Sequence, residues 1–371
     1  MNEIEKEFIP VNDIKLSELE IKYAEDALKT GFISGLAGKY IKMFEDKCAE
    51  FCNAKYGVAC SNGTTALHLA VRVAGIKNGD EVLVNTFTNI PTVLSIMWNG
   101  GTPVLVDSRK DTWAMDEKDI EDKITEKTKA IMPVHIYGHP CDMDPILKLA
   151  KEHDIYVVED AAEAHGAEYK GKPVGNFSDI SCYSYYGNKI ITTGEGGMCL
   201  TNDDELADLM RVLRNQGTKP EYKNKYYYDM IGYNYRITNM QAAVGVAQLK
   251  RIDYLVDKRI EMARIYDEIF ESRSRNIIHA PKMEWAKNTY WYYSILVPKG
   301  TRDKVVAALE NKEIESRPFF YPIHMLPHYN IGEKLPVAED IGFRGLNLPS
   351  GPQLTQDQIE EVAKEIINMT G

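Results

Sequence analysis

The sequence predicts an α/β protein, with a large, mostly parallel sheet covered by helices and a smaller α+β unit after it. Three observations carry this reading. The chain has 371 residues, 44% of them apolar, enough for more than one core. From residue 56 onward, short β-rich runs alternate with stretches of helical length, the pattern of repeated strand–helix–strand units. After about residue 272 the composition changes and the alternation stops.

Taken in order, residues 18–30 predict a helix that stops at Gly31, and a second helix covers about 40–53. The loop between them, "GFISGLAGKY", ends in Gly-Lys. It lacks the first glycine at P-loop spacing and the Ser/Thr after the lysine, which argues against a triphosphate loop. Strands are predicted at 81–87, 102–107, 129–136, 155–160, 180–186 and 197–202, with helices at 63–75, 88–99 and 142–153. In such a sheet, ligands bind beyond the carboxyl ends of the strands. Thr238 and Gln241 have capping-box spacing and open one long helical pattern that runs to about 272. A strand at 290–298, a helix at 301–312 and a strand at 314–320 follow. The expected division is 1–250, an N-terminal arm with the large domain, and 251–371, the small domain.

Charge and cysteines narrow the function. A net charge of −11 argues against nucleic-acid or anionic-membrane binding, while leaving room for a local basic pocket. No apolar run is long enough to span a bilayer, and the opening "MNEIEKEFIP" is too acidic for a targeting peptide, so a cytoplasmic location is the default. Cys48, Cys52, Cys60, Cys141, Cys182 and Cys199 form no CxxC and no zinc-type cluster. Reduced, buried thiols and no metal are expected. No GxGxxG follows any strand, which speaks against a dinucleotide-dependent oxidoreductase.

Three segments at predicted strand ends could carry chemistry. In "SNGTTALHLA" a glycine turn opens directly into a helix. Gly63 and Thr64 there offer free N–H groups to an anion, or the turn is an ordinary N-cap. In "VVEDAAEAHG", Asp160 ends a nearly all-apolar strand. An ionised carboxylate there calls for a cation or donors, unless it is a plain turn carboxylate. His165 nearby reads as a structural histidine. In "SYYGNKIITTGEGG", Lys189 follows a strand among small residues. A lysine enclosed in that way has a lowered pKa and can form a Schiff base with an aldehyde. Ser184 can donate to a phosphate. An anion cradle, a buried carboxylate and an enclosed lysine match the phosphate, ring nitrogen and aldehyde of pyridoxal 5′-phosphate. Phe87, just after "EVLVNT", could stack on the ring or belong to the core.

These motifs, with "GKYIKMFE", "GDEVLVNTFT", "GYNYRITNMQAAVGVAQL", "ESRPFFYPIH" and "GLNLPS", resemble the DegT/DnrJ/EryC1/StrS family of aminotransferases almost end to end. The resemblance implies the fold-type I, aspartate-aminotransferase-like architecture and a PLP-dependent transaminase. It implies Lys189 as the Schiff-base lysine and proton carrier, and Asp160 as partner of the ring nitrogen. Gly63, Thr64 and Ser184 would be phosphate ligands, and Phe87 the stacking aromatic. Glu163 stands where many members have Gln or His near the ring oxygen. Asn234 is similar to the asparagine that reaches the neighbouring subunit's phosphate, which implies a homodimer with active sites at the interface.

Glutamate is the amino donor the resemblance implies. The segments "YGNKIITTGEGG" and "IESRPFFYPIHMLP" are most similar to the branch that aminates C4 of GDP-4-keto-6-deoxymannose, with Arg317 and His324 on the substrate side. "NIPTVLSIMWNGG" and "FISGLAGKY" depart from that branch. They keep open another nucleotide sugar, or a small phosphorylated ketone such as dihydroxyacetone phosphate. A PLP-binding regulator or scaffold without turnover is the non-enzymatic alternative.

Overall fold

Short runs rich in Val, Leu and Ile build the strands of the computed structural model, which describes residues 8–219, 224, 226–228, 230–329 and 332–371. The first seven residues of the acidic opening lie outside these, as do Lys225 and Asp229 of the tyrosine-rich run. Among the described residues the strands are β1 (Tyr56–Cys60), β2 (Glu81–Asn85), β3 (Thr102–Val106), β4 (Thr128–Met132), β5 (Tyr156–Asp160), β6 (Glu168–Tyr169) and β7 (Lys172–Pro173). They continue as β8 (Ile180–Ser184), β9 (Gly197–Thr201), β10 (Ala286–Lys287), β11 (Tyr293–Leu296), β12 (Arg317–Pro318) and β13 (Gly345–Leu348).

The large sheet has the order β1-β9-β8-β5-β4-β2-β3. Its pairings are parallel except those of β9, which runs against both β1 and β8. Every residue of β8 and β9 is buried, as expected of a sheet covered on both faces. Because β9 alone is reversed, its first residue stands at the edge where its neighbours end. Gly197 faces both Cys60 and Ser184. A Cβ on Gly197 would stand 2.2 Å from the Asn62 carbonyl oxygen, so only glycine lets the turn after β1 close over the end of β8. That register brings Gly63 and Ser184 together.

The small sheet, β11-β13-β12, is antiparallel. Its core stacks Tyr266 on Tyr293 with ring centroids 4.6 Å apart, and it is covered by the helices Ile252–Arg273, Arg302–Glu310 and Gln356–Thr370. The N-terminal arm reaches this unit, with Ile9 bridging Ile314 in parallel and Val11 fully buried.

Three sequence expectations need correction. β1 has no counterpart among the predicted strands. The helical pattern from 238 to 272 is two helices, Asn239–Leu249 and Ile252–Arg273. The predicted capping box is present, but Arg251 leaves helical dihedrals (φ −113°, ψ 3°) where its guanidinium meets buried Glu20 at 2.9 Å. The strand predicted at 314–320 shrinks to β12, where Pro318 has no N–H to extend the ladder. All six cysteines are free and buried. No described helix is long and apolar enough to cross a membrane.

Candidate active site

At the edge where β5 and β8 end lies a cavity of about 380 Å³. Gly63, Thr64, Asp160, Glu163, Ser184 and Lys189 all line it, with Trp291 closing one side. Side chains from residues 63 to 291 therefore converge on one space, as expected at the carboxyl ends of strands in an open α/β sheet.

The helix Gly63–Val73 opens on this cavity. Asn62 caps it, its side-chain oxygen accepting the Thr65 N–H at 2.8 Å. The N–H groups of Gly63 and Thr64 precede the first intrahelical donor, the Ala66 N–H that bonds the Asn62 carbonyl, so they have no intrahelical acceptor and are available to an anion. A Cβ on Gly63 would fall 2.6 Å from the Ser184 Cβ, so the glycine holds the serine hydroxyl beside the helix N-terminus.

Asp160 is 4% exposed. The Thr92 hydroxyl donates to its Oδ2 at 2.7 Å and the Ala162 N–H to its Oδ1 at 3.1 Å. Burial pushes its pKa up, and these donors and the Lys189 charge offset that only in part. A cation brought into the cavity would restore the ionised form and be held by it.

Lys189 is 6% exposed, with Nζ 3.5 Å from the Trp291 ring centroid and 3.8 Å from Glu163 Oε1. Burial pulls its pKa down, against the carboxylates of Glu163 and Asp160. The Glu163 carboxyl is pushed up to about 7 by burial, opposed by Lys189 and by the Tyr137 N–H at 2.8 Å. An amine and a carboxyl thus face each other with both charges destabilised.

The other predicted residues fall elsewhere. Phe87 does not line the cavity. Its ring is fully buried against Tyr137, Phe319 and Phe320, while the next residues, Thr88 and Asn89, form the wall. His324 is also absent from the wall. It is 3% exposed, with Nδ1 2.8 Å from the Thr86 hydroxyl and Nε2 3.3 Å from Glu339, so it ties a turn to β2 instead of meeting a ligand. Arg317 is exposed and pairs with Glu315 at 3.0 Å. It also donates to Tyr292, whose hydroxyl accepts from Asn188 on the cavity wall. Asn234 is exposed, between Tyr233 and Tyr235, whose rings stack 4.8 Å apart and both meet His68. His165 is buried, with neither ring nitrogen hydrogen-bonded among the described residues.

Sequence reasoning missed Thr92, Asn188 and Trp291. Thr92 had a signal, since it sits beside Pro91 at the start of the helix Ile90–Trp98 that follows β2. Trp291 had none, because it lies about a hundred residues beyond Lys189 in the chain.

Residues 15–367 match the DegT/DnrJ/EryC1/StrS aminotransferase family model. The chain belongs to this family. Among its relatives, the GDP-perosamine synthase of Escherichia coli O157:H7 is 46% identical over 97% of this chain and 98% of its own length. That of Caulobacter vibrioides is 44% identical over 94% of each. A solved structure, the putative sugar aminotransferase Spr1654 from Streptococcus pneumoniae in its PLP-form, superposes with a TM-score of 0.90 at 28% identity, over 98% of both chains. The fold is therefore fold-type I, and the protein is a sugar aminotransferase of a PLP-dependent family.

The residues present fit that cofactor. The helix N-terminus with Ser184 offers donors to a phosphate, Asp160 needs a cation, and Lys189 is an amine held with a lowered pKa.

Proposed function

We propose that the protein moves an amino group from glutamate to the C4 ketone of a nucleotide-linked 4-keto-6-deoxy sugar, GDP-4-keto-6-deoxymannose being the best candidate. The observation that carries it is the convergence of Gly63, Thr64, Ser184, Asp160 and Lys189 in one cavity. The similarity to two GDP-perosamine synthases supports the choice of sugar.

Bound pyridoxal phosphate supplies an aldehyde carbon for the amine and a ring that accepts electrons. The chain does the rest. Gly63 and Thr64 N–H groups and the Ser184 hydroxyl would hold the phosphate. Asp160, oriented by Thr92, would keep the ring nitrogen protonated. Lys189 Nζ would hold the cofactor and take and return the proton at the reacting carbon. Its lowered pKa keeps more of it neutral, as a base requires. Glu163 lies within reach of the lysine amine, and Trp291 keeps water from that side of it. Arg317, released from Glu315, is the proposed contact for a substrate phosphate.

The protein acts as a homodimer in this reading. Tyr226 and Ile231 are 84% and 87% exposed. Phe32 and Leu36 are also exposed, in a loop that Asn239 holds through the Phe32 and Ser34 carbonyls. Such an apolar surface suits a second copy, with Asn234 presented to it. We place the division between the large and small units at 250/251, where the two helices separate.

The test is a half-reaction. Loading the enzyme with glutamate bleaches the cofactor's absorbance, and candidate ketones are then added singly. Recovery with GDP-4-keto-6-deoxymannose is expected. Recovery with dihydroxyacetone phosphate alone would overturn the choice of substrate.

A further inference from the structure

Two distant parts of the chain meet on the carbonyl oxygen of Asn188, the residue before Lys189. The Asn12 side-chain amide donates to it at 2.6 Å, and so does the Trp291 indole N–H, also at 2.6 Å. Behind them lies Arg259, on the helix Ile252–Arg273 and 1% exposed. Its guanidinium donates to Asn12 Oδ1 at 2.9 Å, to the Trp291 carbonyl at 2.8 Å and to the Ser350 carbonyl at 2.7 Å. Among the described residues no carboxylate pairs with it, and burial lowers its pKa to about 10. A cation buried without a counter-ion is costly, and here its fork is spent on the two groups that grip Asn188. The Asn12 orientation is fixed by the same partners, since only one way round gives an N–H to a carbonyl and an oxygen to a guanidinium.

We propose that Asn12 and Arg259 are positioning residues for Lys189. They form a strut from the N-terminal arm and the long helix that fixes the Asn188 carbonyl and the Trp291 ring, and through them the direction and dryness of the lysine amine. The consequence for turnover rests on the reading of Lys189 as the cofactor-bearing lysine; the strut itself does not. The arm is thereby part of the active site, although no described residue before Asn62 lines the cavity. Asn12 itself is held in place because the Val11 carbonyl accepts the Ser350 N–H at 2.8 Å and the Val11 N–H donates to Glu315 at 3.0 Å.

Two substitutions separate positioning from simple stability. Asn12→Ala removes both contacts. Asn12→Asp keeps an acceptor for Arg259 but cannot donate to Asn188, so a merely structural role predicts wild-type behaviour for it. The first readout is the pH midpoint for acetylation of Lys189 in cofactor-free protein by trace acetic anhydride, measured by peptide mass spectrometry against exposed Lys299. Glu163, Asp160 and His165 face this amine and are unchanged by the substitutions. The second readout is the rate at which Lys189 captures pyridoxal phosphate, followed by borohydride trapping.

With Asn12→Ala the midpoint is expected to rise toward that of an ordinary lysine, because water reaches the amine once Trp291 is released. Capture slows about tenfold in both variants, within what a displaced reacting group costs, while Asn12→Asp melts near wild type. Unchanged midpoint and capture in both variants would overturn the proposal, whatever their melting temperatures. A midpoint that rises in a protein whose wild type captures no cofactor would uphold the strut and reject the cofactor reading.

Discussion

Thr92 reaches Asp160 from the first turn of the helix after β2, and valine in its place would keep the shape while removing the donor. A hydrogen bond to a charged group contributes about 1.5–3 kcal/mol. Thr92→Val is therefore expected to weaken cofactor retention at least about tenfold in equilibrium dialysis, with little change in melting temperature. Equal retention would detach Thr92 from the site. Lys189→Ala should abolish turnover, a loss of more than about 10²-fold for a missing proton carrier, and leave the circular dichroism spectrum intact. Glu163 gives a pH test. Its folded pKa, about 7, lies above that of an exposed carboxyl, so its contribution to stability is full at low pH and lost as pH rises through about 7. Cofactor-free Glu163→Gln should then gain on wild type between about pH 5 and pH 8, by an amount on the order of 1–3 kcal/mol. Parallel stability curves would show that the carboxyl does not titrate there.

At the scale of elements, the reversed strand β9 decides where the chemistry sits, and its first residue has no room to change. Gly197→Ala would push a Cβ against the Asn62 carbonyl. Overpacking of this kind costs about 1–3 kcal/mol, and here it should also cost cofactor affinity, because the Asn62 turn carries the Gly63 and Thr64 N–H groups. Retained affinity would mean the cradle tolerates that shift. The strands from β2 to β9 of the large sheet were legible as apolar runs bounded by turns. β1 was not, since "YGVAC" carries a glycine and no flanking periodicity. The split at 250–251 was equally hidden, because it answers to Glu20 more than two hundred residues earlier. Lys189, Asp160, Ser184 and Gly63 could be found in the sequence because each ends a strand, starts a helix or lies in the turn that follows a strand on the same edge. Trp291 and Asn12 could not, because their positions depend on how the small unit and the arm fold back. Phe87 and His324 mark the opposite limit: the position after β2 and the family resemblance put Phe87 near the site, the resemblance alone put His324 there, and both side chains are buried in this structure.

For the whole molecule, the proposed homodimer puts the exposed Tyr226 and Ile231 at the contact between two copies. Ile231→Glu is expected to shift the protein from dimer to monomer in analytical ultracentrifugation, with loss of bound cofactor. A wild type that sediments as an active monomer would contradict that view. Amino transfer to a nucleotide-linked keto sugar through Lys189 can be followed by tracing nitrogen. Wild type is incubated with [15N]glutamate and GDP-4-keto-6-deoxymannose, and the sugar is examined by NMR. 15N is expected on C4 of the sugar with wild type and none with Lys189→Ala. Label that stays in glutamate, or that enters only a small phosphorylated ketone offered in competition, would contradict it.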